Sequence, residues 1–128
     1  MIPSTSELIA FLGATDPDRA TTFYRDTLGL NLVPTESPSA LVFETGQTTL
    51  RISIVDEVRP ASYTVLGWSV DDIDSAVRSL SSNGVSFDRI PGMDQDDRGI
   101  WTAPDGTKVA WFRDPDDNVL SVTEHASG

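Results

Sequence analysis

The chain has 128 residues, a length typical of one domain, and it contains no cysteine, which excludes disulfides, thiolate zinc sites and cysteine nucleophiles. Twenty acidic and nine basic residues give a net charge of −11, which disfavours binding to nucleic acid or to anionic membranes. There is no apolar run long enough to span a membrane and no signal-peptide pattern at the N-terminus, so we expect a cytoplasmic protein.

The first half of the sequence predicts a strand, a helix and three further strands. Residues 7–14 are mostly apolar and predict the first strand. Asp16 and Pro17 predict the start of a helix, because Asp is a favoured N-cap and Pro fits the first helical position. Gly29 ends that helix, since glycine tolerates the left-handed conformation found there. Three more strands are predicted over 30–35, 40–44 and 48–55. We therefore expect a first module over 7–55.

The same pattern begins again after a short polar segment, 56–62, which we interpret as a linker. Residues 63–70 predict a strand, and a helix begins at Asp72 and ends at Gly84. Four more strands are predicted over 85–90, 99–103, 108–113 and 119–124. The second module therefore spans 63–125.

The two halves form an internal repeat. Asp16 corresponds to Asp72, and Gly29 corresponds to Gly84 after a slip of one residue. Neither half alone has enough apolar residues for a core of its own. The repeat therefore predicts an α+β fold in which two similar modules form a single domain over 1–128.

Three segments carry a resemblance to a known superfamily. Phe23–Leu30 resembles an F-Y-x-x-x-L-G-(L/F) motif, Val70–Asp74 a V-D-D-(I/L)-D motif, and Phe112–Val119 an F-x-D-P-D-G-N motif. These motifs are similar to those of the vicinal oxygen chelate superfamily, which includes glyoxalase I, extradiol dioxygenases, fosfomycin-modifying enzymes and bleomycin-binding resistance proteins. Asp117 stands where the last motif usually has glycine, and Asp also tolerates the left-handed conformation of such a turn.

The resemblance implies two βαβββ modules whose strands curl into a cup around a ligand, with the helices outside. In the metalloenzymes of the superfamily, four His, Gln or Glu side chains on four strands bind a metal ion. The matching positions here are Ile9, Arg51, Val65 and Ser121. Two of these have no lone pair, one is a cation and one is a weak ligand, so we predict no metal and no cofactor.

Strand alternation predicts which side chains face the cup. Arg51 is the most informative, because a guanidinium facing an apolar cup needs a partner. That partner is either an anionic or carbonyl group of a ligand or an internal carboxylate such as Glu44. The predicted ligand-binding residues are Phe11, Phe43, Arg51, Ser53, Asp94, Arg98, Trp101, Trp111 and Ser121. Trp68, Phe112, Phe23 and Tyr24 are predicted to face the helices and belong to the core.

Trp101 and Trp111 lie on a predicted hairpin near the mouth of the cup. They either stack on a flat or cationic ligand or pack into the core or a dimer contact. The acidic run 94–98 predicts a flexible loop that either covers the pocket or is simply solvated. His125 follows the last strand, where we expect an exposed position.

These features favour a metal-free binding protein, a homodimer that sequesters a small, partly aromatic or cationic molecule. One alternative is a glyoxalase-like lyase or isomerase, or another enzyme that acts on a carbonyl substrate, and the sequence leaves catalysis open. The other is an interaction domain with a vestigial pocket. No nucleophile elbow, P-loop or dinucleotide motif is present.

Overall fold

The computed structural model describes residues 1–127, which fall into two compact units. The first unit is Met1–Arg59 and the second begins at Pro60, so the division lies inside the predicted linker 56–62. Each unit contains one helical segment and one mixed four-stranded sheet. The predicted α+β class with two βαβββ modules is confirmed. Over residues 1–127, no helix is both long enough and apolar enough to cross a membrane.

The first unit contains β1 to β4 and a helical segment that begins as α1. Its elements are β1 (Ile9–Ala14), α1 (Pro17–Thr21), a π-helical segment (Thr22–Thr27), β2 (Asn31–Val33), β3 (Ala40–Thr45) and β4 (Thr48–Ile54). The strand order in the first sheet is β1-β4-β3-β2. Strands β1 and β4 run parallel, whereas the other neighbours are antiparallel.

The first helix begins as predicted but changes type after one turn. Asp16 Oδ1 accepts hydrogen bonds from the backbone N–H groups of Asp18 (2.9 Å) and Arg19 (3.3 Å), which satisfies donors that no helical carbonyl can reach. Further along, the Leu28 N–H donates to the Phe23 carbonyl at 2.9 Å, five residues back. This longer spacing is the π-helical hydrogen bond, so the predicted single α-helix is an α-helix followed by a π-helix.

The core of the first unit lies between the helical segment and one face of the first sheet. Tyr24 of the π-helical segment contacts Phe43 of β3, with ring centroids 5.8 Å apart. Leu50 and Ile52 of β4 are also fully buried. Because strand side chains alternate between faces, Arg51, which lies between these two residues, points away from the helix.

The second unit repeats the same topology with β5 to β8 and α2. Its elements are β5 (Leu66–Ser69), α2 (Ile73–Ser82), β6 (Trp101–Thr102), β7 (Lys108–Arg113) and β8 (Val119–Glu124). The strand order is β5-β8-β7-β6, with β5 and β8 parallel. Thus the outer parallel pair and the inner antiparallel pairs are the same in both units.

Helix α2 packs on the second sheet through Ile73 and Val77, which are both buried. The Ile73 N–H donates to Glu124 Oε1 of β8 at 3.0 Å, which ties the first turn of the helix to the sheet. Phe112 and Leu120 belong to this core and are fully buried. The predicted core position of Phe112 is therefore confirmed.

One predicted strand does not form. Residues 85–90 lie beside β7, and the Asp88 N–H donates to the Trp111 carbonyl at 2.8 Å. Two residues later, the Ile90 N–H donates to the side-chain Oε1 of Gln95 at 2.7 Å rather than to a strand. The prediction of a strand over 85–90 is therefore wrong, because the Gln95 side chain takes the hydrogen bond that a neighbouring strand would accept from Ile90.

The turn between β7 and β8 keeps its form despite the unusual Asp117. Asp117 has a φ of 65°, in the left-handed region where glycine is usual. Asp114 Oδ1 accepts from the N–H groups of Asp116 and Asn118, both at 2.9 Å, and its other oxygen accepts from the Asn118 side chain. The buried Asp114 carboxylate therefore fixes the turn, and Asp at position 117 is tolerated.

Candidate functional site

The face of the first sheet that points away from the helix carries one cation among apolar side chains. In the strand register, Arg51 of β4 lies between Phe11 of β1 and Val42 of β3, so the three side chains share this face. Phe11 is 65% exposed and Ile9, on the same face, is 52% exposed. We call these four residues and Ser53, which pairs with Gly13 in the same register, the first open face.

Arg51 has no partner within residues 1–127. The Arg51 side chain forms no hydrogen bond or ion pair with any of them, including Glu44, the internal carboxylate considered as its partner. Glu44 pairs in register with Thr49, two residues before Arg51 on the same strand. The guanidinium therefore retains its hydrogen-bond donors for another group.

Phe43 does not belong to this site. It lies on the opposite face of β3, where it is fully buried against Tyr24. Its backbone partner across β4 is the buried Leu50, whereas its neighbour Val42 pairs with Arg51. The inclusion of Phe43 among the ligand-binding residues is therefore wrong, since the period of two in a strand places it in the core.

The four positions that correspond to metal ligands hold residues that do not fit a divalent metal ion. In the first unit these are Ile9 and Arg51, an alkyl side chain and a cation. In the second unit they are Val65, whose N–H donates to the Val119 carbonyl, and Ser121. Within residues 1–127, no three His, Asp or Glu side chains are grouped in a way that could hold a metal ion. The donor chemistry therefore offers neither imidazole nor carboxylate at these places.

The second sheet also has a face directed away from its helix, which carries Trp101, Trp111 and Ser121. Trp111 pairs with Ser121 across β7 and β8, and Ser121 pairs with Gly67 across β8 and β5. The two tryptophan rings lie with centroids 6.2 Å apart at 38°. Ser121 is only 6% exposed, so within this surface, the second open face, the tryptophans offer the larger contact area.

The acidic run 94–98 is attached to the second unit by its neighbours. Gln95 Nε2 donates to the carbonyls of Asp88 (2.9 Å) and Gly99 (2.8 Å), while its Oε1 accepts from Ile90. Asp96 Oδ1 accepts from the N–H groups of Arg98 and Ile100, both at 2.9 Å. These hydrogen bonds join the run to the backbone around it, and the flexible loop that its charge indicates stays a prediction. Asp94 and Arg98 themselves are exposed.

A cavity of about 760 Å³ lies in the second unit beside Trp111. Among its lining residues, Arg113 Nε and Asp88 Oδ2 form an ion pair at 2.9 Å. The hydrogen bond and the charge of Asp88 raise the pKa of Arg113 above its ordinary value, so this guanidinium stays charged at any physiological pH. The sequence reasoning missed this pair, although Arg113 stands two residues after Trp111 and therefore on the same face of β7.

Comparison with known proteins places the chain in a family. The sequence model of the Glyoxalase/Bleomycin resistance protein/Dioxygenase superfamily matches residues 8–122. The chain belongs to this superfamily. Its curated relative YraH, an uncharacterized protein of Bacillus subtilis (strain 168), is 30% identical over 122 residues, which are 84% of this chain and 88% of YraH.

Solved structures of superfamily members have the same fold as this chain. The lactoylglutathione lyase from Agrobacterium tumefaciens aligns over 96% of both chains with a TM-score of 0.73 and 21% identity. TnmS3, an antibiotic binding protein from Streptomyces sp. CB03234, aligns over 98% of this chain and 100% of its own, with a TM-score of 0.72 and 20% identity. At these identities the likeness shows the fold alone, and the superfamily fold supports both binding proteins and enzymes.

Proposed function

We propose that this superfamily member is a small-molecule-binding protein that sequesters an aromatic ligand bearing a carbonyl or carboxylate oxygen. The observation that carries the proposal is Arg51, a cation without a partner in residues 1–127 beside the exposed Phe11. A guanidinium among apolar side chains is stabilised when it donates to an oxygen acceptor, and a charged hydrogen bond contributes more than a neutral one.

Arg51 also narrows the chemistry of the ligand. A cationic group at the first open face would be repelled by the guanidinium, whereas a carbonyl or carboxylate would accept from it. Phe11 offers a ring at the adjacent strand position, on which a flat apolar group can stack. Of the two kinds of ligand expected from the sequence, we therefore favour an aromatic ligand over a cationic one, in spite of the net charge of −11.

The residues at the metal-ligand positions support binding over metal-dependent catalysis. A lyase of the glyoxalase type needs metal ligands on four strands, and Ile9, Arg51, Val65 and Ser121 do not supply them. Likeness in fold to an antibiotic binding protein is consistent with sequestration. Trp101 and Trp111 provide a second aromatic surface for a ligand on the second sheet.

Titration calorimetry with three probes of the same ring system tests the proposal. We expect 2-naphthoate to bind more tightly than 2-acetylnaphthalene, and 2-naphthylmethylammonium to bind most weakly. Substitution Arg51→Gln should weaken 2-naphthoate binding by roughly tenfold or more, since a hydrogen bond to a charged group is worth about 1.5–3 kcal/mol. Arg59→Gln is the matched control, because Arg59 is 86% exposed in the same unit and makes only a surface ion pair with Glu57.

Two results would refute this function. One is equal affinity of the wild-type protein and Arg51→Gln for 2-naphthoate. The other is preferential binding of the ammonium probe, which would favour a cationic ligand instead. Backbone NMR shifts confined to 9–13 and 49–53 on adding 2-naphthoate would support the first open face as the site.

Native mass spectrometry of untagged protein tests the rest of the proposal together. We propose a homodimer without a bound metal in the cytoplasm, and exposed apolar side chains outside the first open face, such as Ile2 and Leu8, are typical of surfaces that become covered. The excess of acidic residues supports the absence of nucleic acid partners. One metal ion per chain, retained after dialysis, would contradict the metal-free proposal, and a monomeric mass would contradict the dimer.

A further inference from the structure

We propose that the cavity of the second unit is a separate binding site for a zwitterion of the α-amino acid type with an aromatic side chain. The residues that form this zwitterion site are Tyr63, Asp88, Arg89, Trp111, Arg113 and Asp117. All of them belong to the second unit, and none belongs to the first open face. The inference therefore does not depend on Arg51, although Trp111 also belongs to the aromatic surface of the second sheet named above.

Arg113 presents a guanidinium whose outer nitrogens are available. Its Nε donates to Asp88 Oδ2 at 2.9 Å. Within residues 1–127, neither Nη atom donates a hydrogen bond, and the side chain is 48% exposed. Two parallel N–H donors on one guanidinium match the two oxygens of a carboxylate. A carboxylate is therefore the acceptor that fits the two free Nη groups of Arg113.

Asp88 holds that guanidinium in one orientation because its own backbone is fixed. The Asp88 N–H donates to the Trp111 carbonyl at 2.8 Å, and the Asp88 carbonyl accepts from Gln95 Nε2 at 2.9 Å. Both backbone polar groups of the residue whose carboxylate contacts Arg113 are thus hydrogen-bonded. A positioned donor loses less side-chain entropy when a ligand binds than a mobile one, which favours affinity.

The charges around the cavity favour a ligand that carries both signs. Arg89 and Arg113 are cationic, and Asp88 and Asp117 are anionic. Asp117 lies close enough to Arg113 for its charge to contribute to the raised pKa of that guanidinium. A simple anion would meet two carboxylates and a simple cation would meet two guanidiniums, and like charges in contact are unfavourable. A zwitterion with its carboxylate on Arg113 and its ammonium towards the acidic side chains pairs both of its charges.

Aromatic surfaces and size complete the description of the ligand. Trp111 lines the cavity from β7, and Tyr63, which is 70% exposed, lines it from the segment before β5. Both rings can pack on an aromatic side chain. The volume of about 760 Å³ falls within the range of small-molecule sites, so a single amino acid or a short derivative fits.

Three probes that share a phenyl ring and a two-carbon chain test the charge argument. They are L-phenylalanine, 3-phenylpropionate without the ammonium, and 2-phenylethylammonium without the carboxylate. We expect L-phenylalanine to bind at least roughly tenfold more tightly than either of the others, because each of the others leaves one charged partner of the cavity unpaired. The measurement is an NMR titration that follows the indole N–H signal of Trp111, assigned with Trp111→Phe.

Two substitutions test the two ends of the ligand. Arg113→Gln removes the carboxylate partner and should weaken L-phenylalanine by roughly tenfold or more while affecting 2-phenylethylammonium little. Asp117→Asn removes one carboxylate and should weaken L-phenylalanine while affecting 3-phenylpropionate little. This variant keeps the turn, because Asn also tolerates the left-handed conformation observed at position 117. Arg78→Gln, on the exposed side of α2, is the matched control for a lost arginine.

The proposal fails if L-phenylalanine and 3-phenylpropionate bind equally, or if L-phenylalanine does not shift the Trp111 signal at millimolar concentration. It also fails if Arg51→Gln weakens L-phenylalanine as much as Arg113→Gln does, since the ligand would then belong to the first open face. In that last case the proposed function would survive while the separate site would not.

Discussion

Replacement of Gln95 by alanine should loosen the segment that connects α2 to β6 and destabilise the second unit. The wild-type side chain makes three hydrogen bonds of 2.7–2.9 Å to the backbone of Asp88, Ile90 and Gly99. At about 0.5–1.5 kcal/mol for each bond, the loss has an upper bound of about 4.5 kcal/mol. Gln95 is only half-buried, so water can replace part of these bonds, and we expect a loss of about 2 kcal/mol in the free energy of unfolding.

Equilibrium urea denaturation measures this loss, and amide hydrogen exchange locates it. The Ile90 amide should exchange faster in Gln95→Ala, because its acceptor is the deleted Oε1. Gln95→Glu should retain protection of that amide while losing both bonds to carbonyls, since a carboxylate accepts but does not donate. Gln47→Ala is the matched control, because Gln47 is an exposed residue in the turn between β3 and β4.

The reasoning is refuted if Gln95→Ala unfolds at the same urea concentration as the wild-type protein and leaves exchange at Ile90 unchanged. The segment would then be held by other contacts, such as the bond from Arg89 to the Asp97 carbonyl at 2.7 Å. A loss of stability equal to that of Gln47→Ala would lead to the same conclusion.

Three further predictions follow from the packing and from one perturbed pKa. Phe43→Ala should cost about 3–5 kcal/mol by urea denaturation, because the side chain is fully buried, and a cost below about 1 kcal/mol would contradict its core position. Gly67→Ala should cost about 1–2 kcal/mol, since a Cβ there would lie 2.7 Å from Ser121 Oγ, and adding Ser121→Ala should recover most of that loss; additive effects would show that the two sites do not touch. A hydrogen bond from the Thr107 N–H holds the pKa of Asp105 below its ordinary value, so its stabilising effect is present above about pH 4 and is lost as pH falls through the folded value. The difference in melting temperature between the wild-type protein and Asp105→Ala should therefore shrink between pH 6 and pH 2, and a constant difference would contradict the linkage.

The repeat and the caps made the fold predictable from the sequence. Asp16 and Asp72 act at the starts of their helices through local hydrogen bonds, which short-range sequence patterns record well. The π-helical segment over 22–27 was not predictable in this way, because apolar spacing alone does not distinguish a hydrogen bond to the fifth preceding residue from one to the fourth. The missing strand over 85–90 has a similar cause, since a bond from the side chain of Gln95 leaves no trace in the hydropathy pattern.

The candidate sites were only partly predictable, because a strand pattern gives faces but not partners. Alternation placed Phe11 and Arg51 on one face, and the same rule would have placed Phe43 on the other. Whether Arg51 has an internal partner depends on tertiary structure, and so does the pairing of Asp88 with Arg113, which are 25 residues apart. The motif that contains Arg113 predicts the turn that follows it, but it carries no information about the partner of the Arg113 side chain.

Asp117 connects the turn of the superfamily motif with the chemistry of the zwitterion site. Glycine at this place would relieve the left-handed conformation, whose cost for other residues is of order 1 kcal/mol. The carboxylate that this chain has instead lines the cavity and interacts electrostatically with Arg113. The turn itself is fixed by Asp114 and Asn118, so its geometry does not depend on glycine. An aspartate in place of the usual glycine therefore does not improve the backbone of the turn. What it changes is the charge beside Arg113 in the cavity.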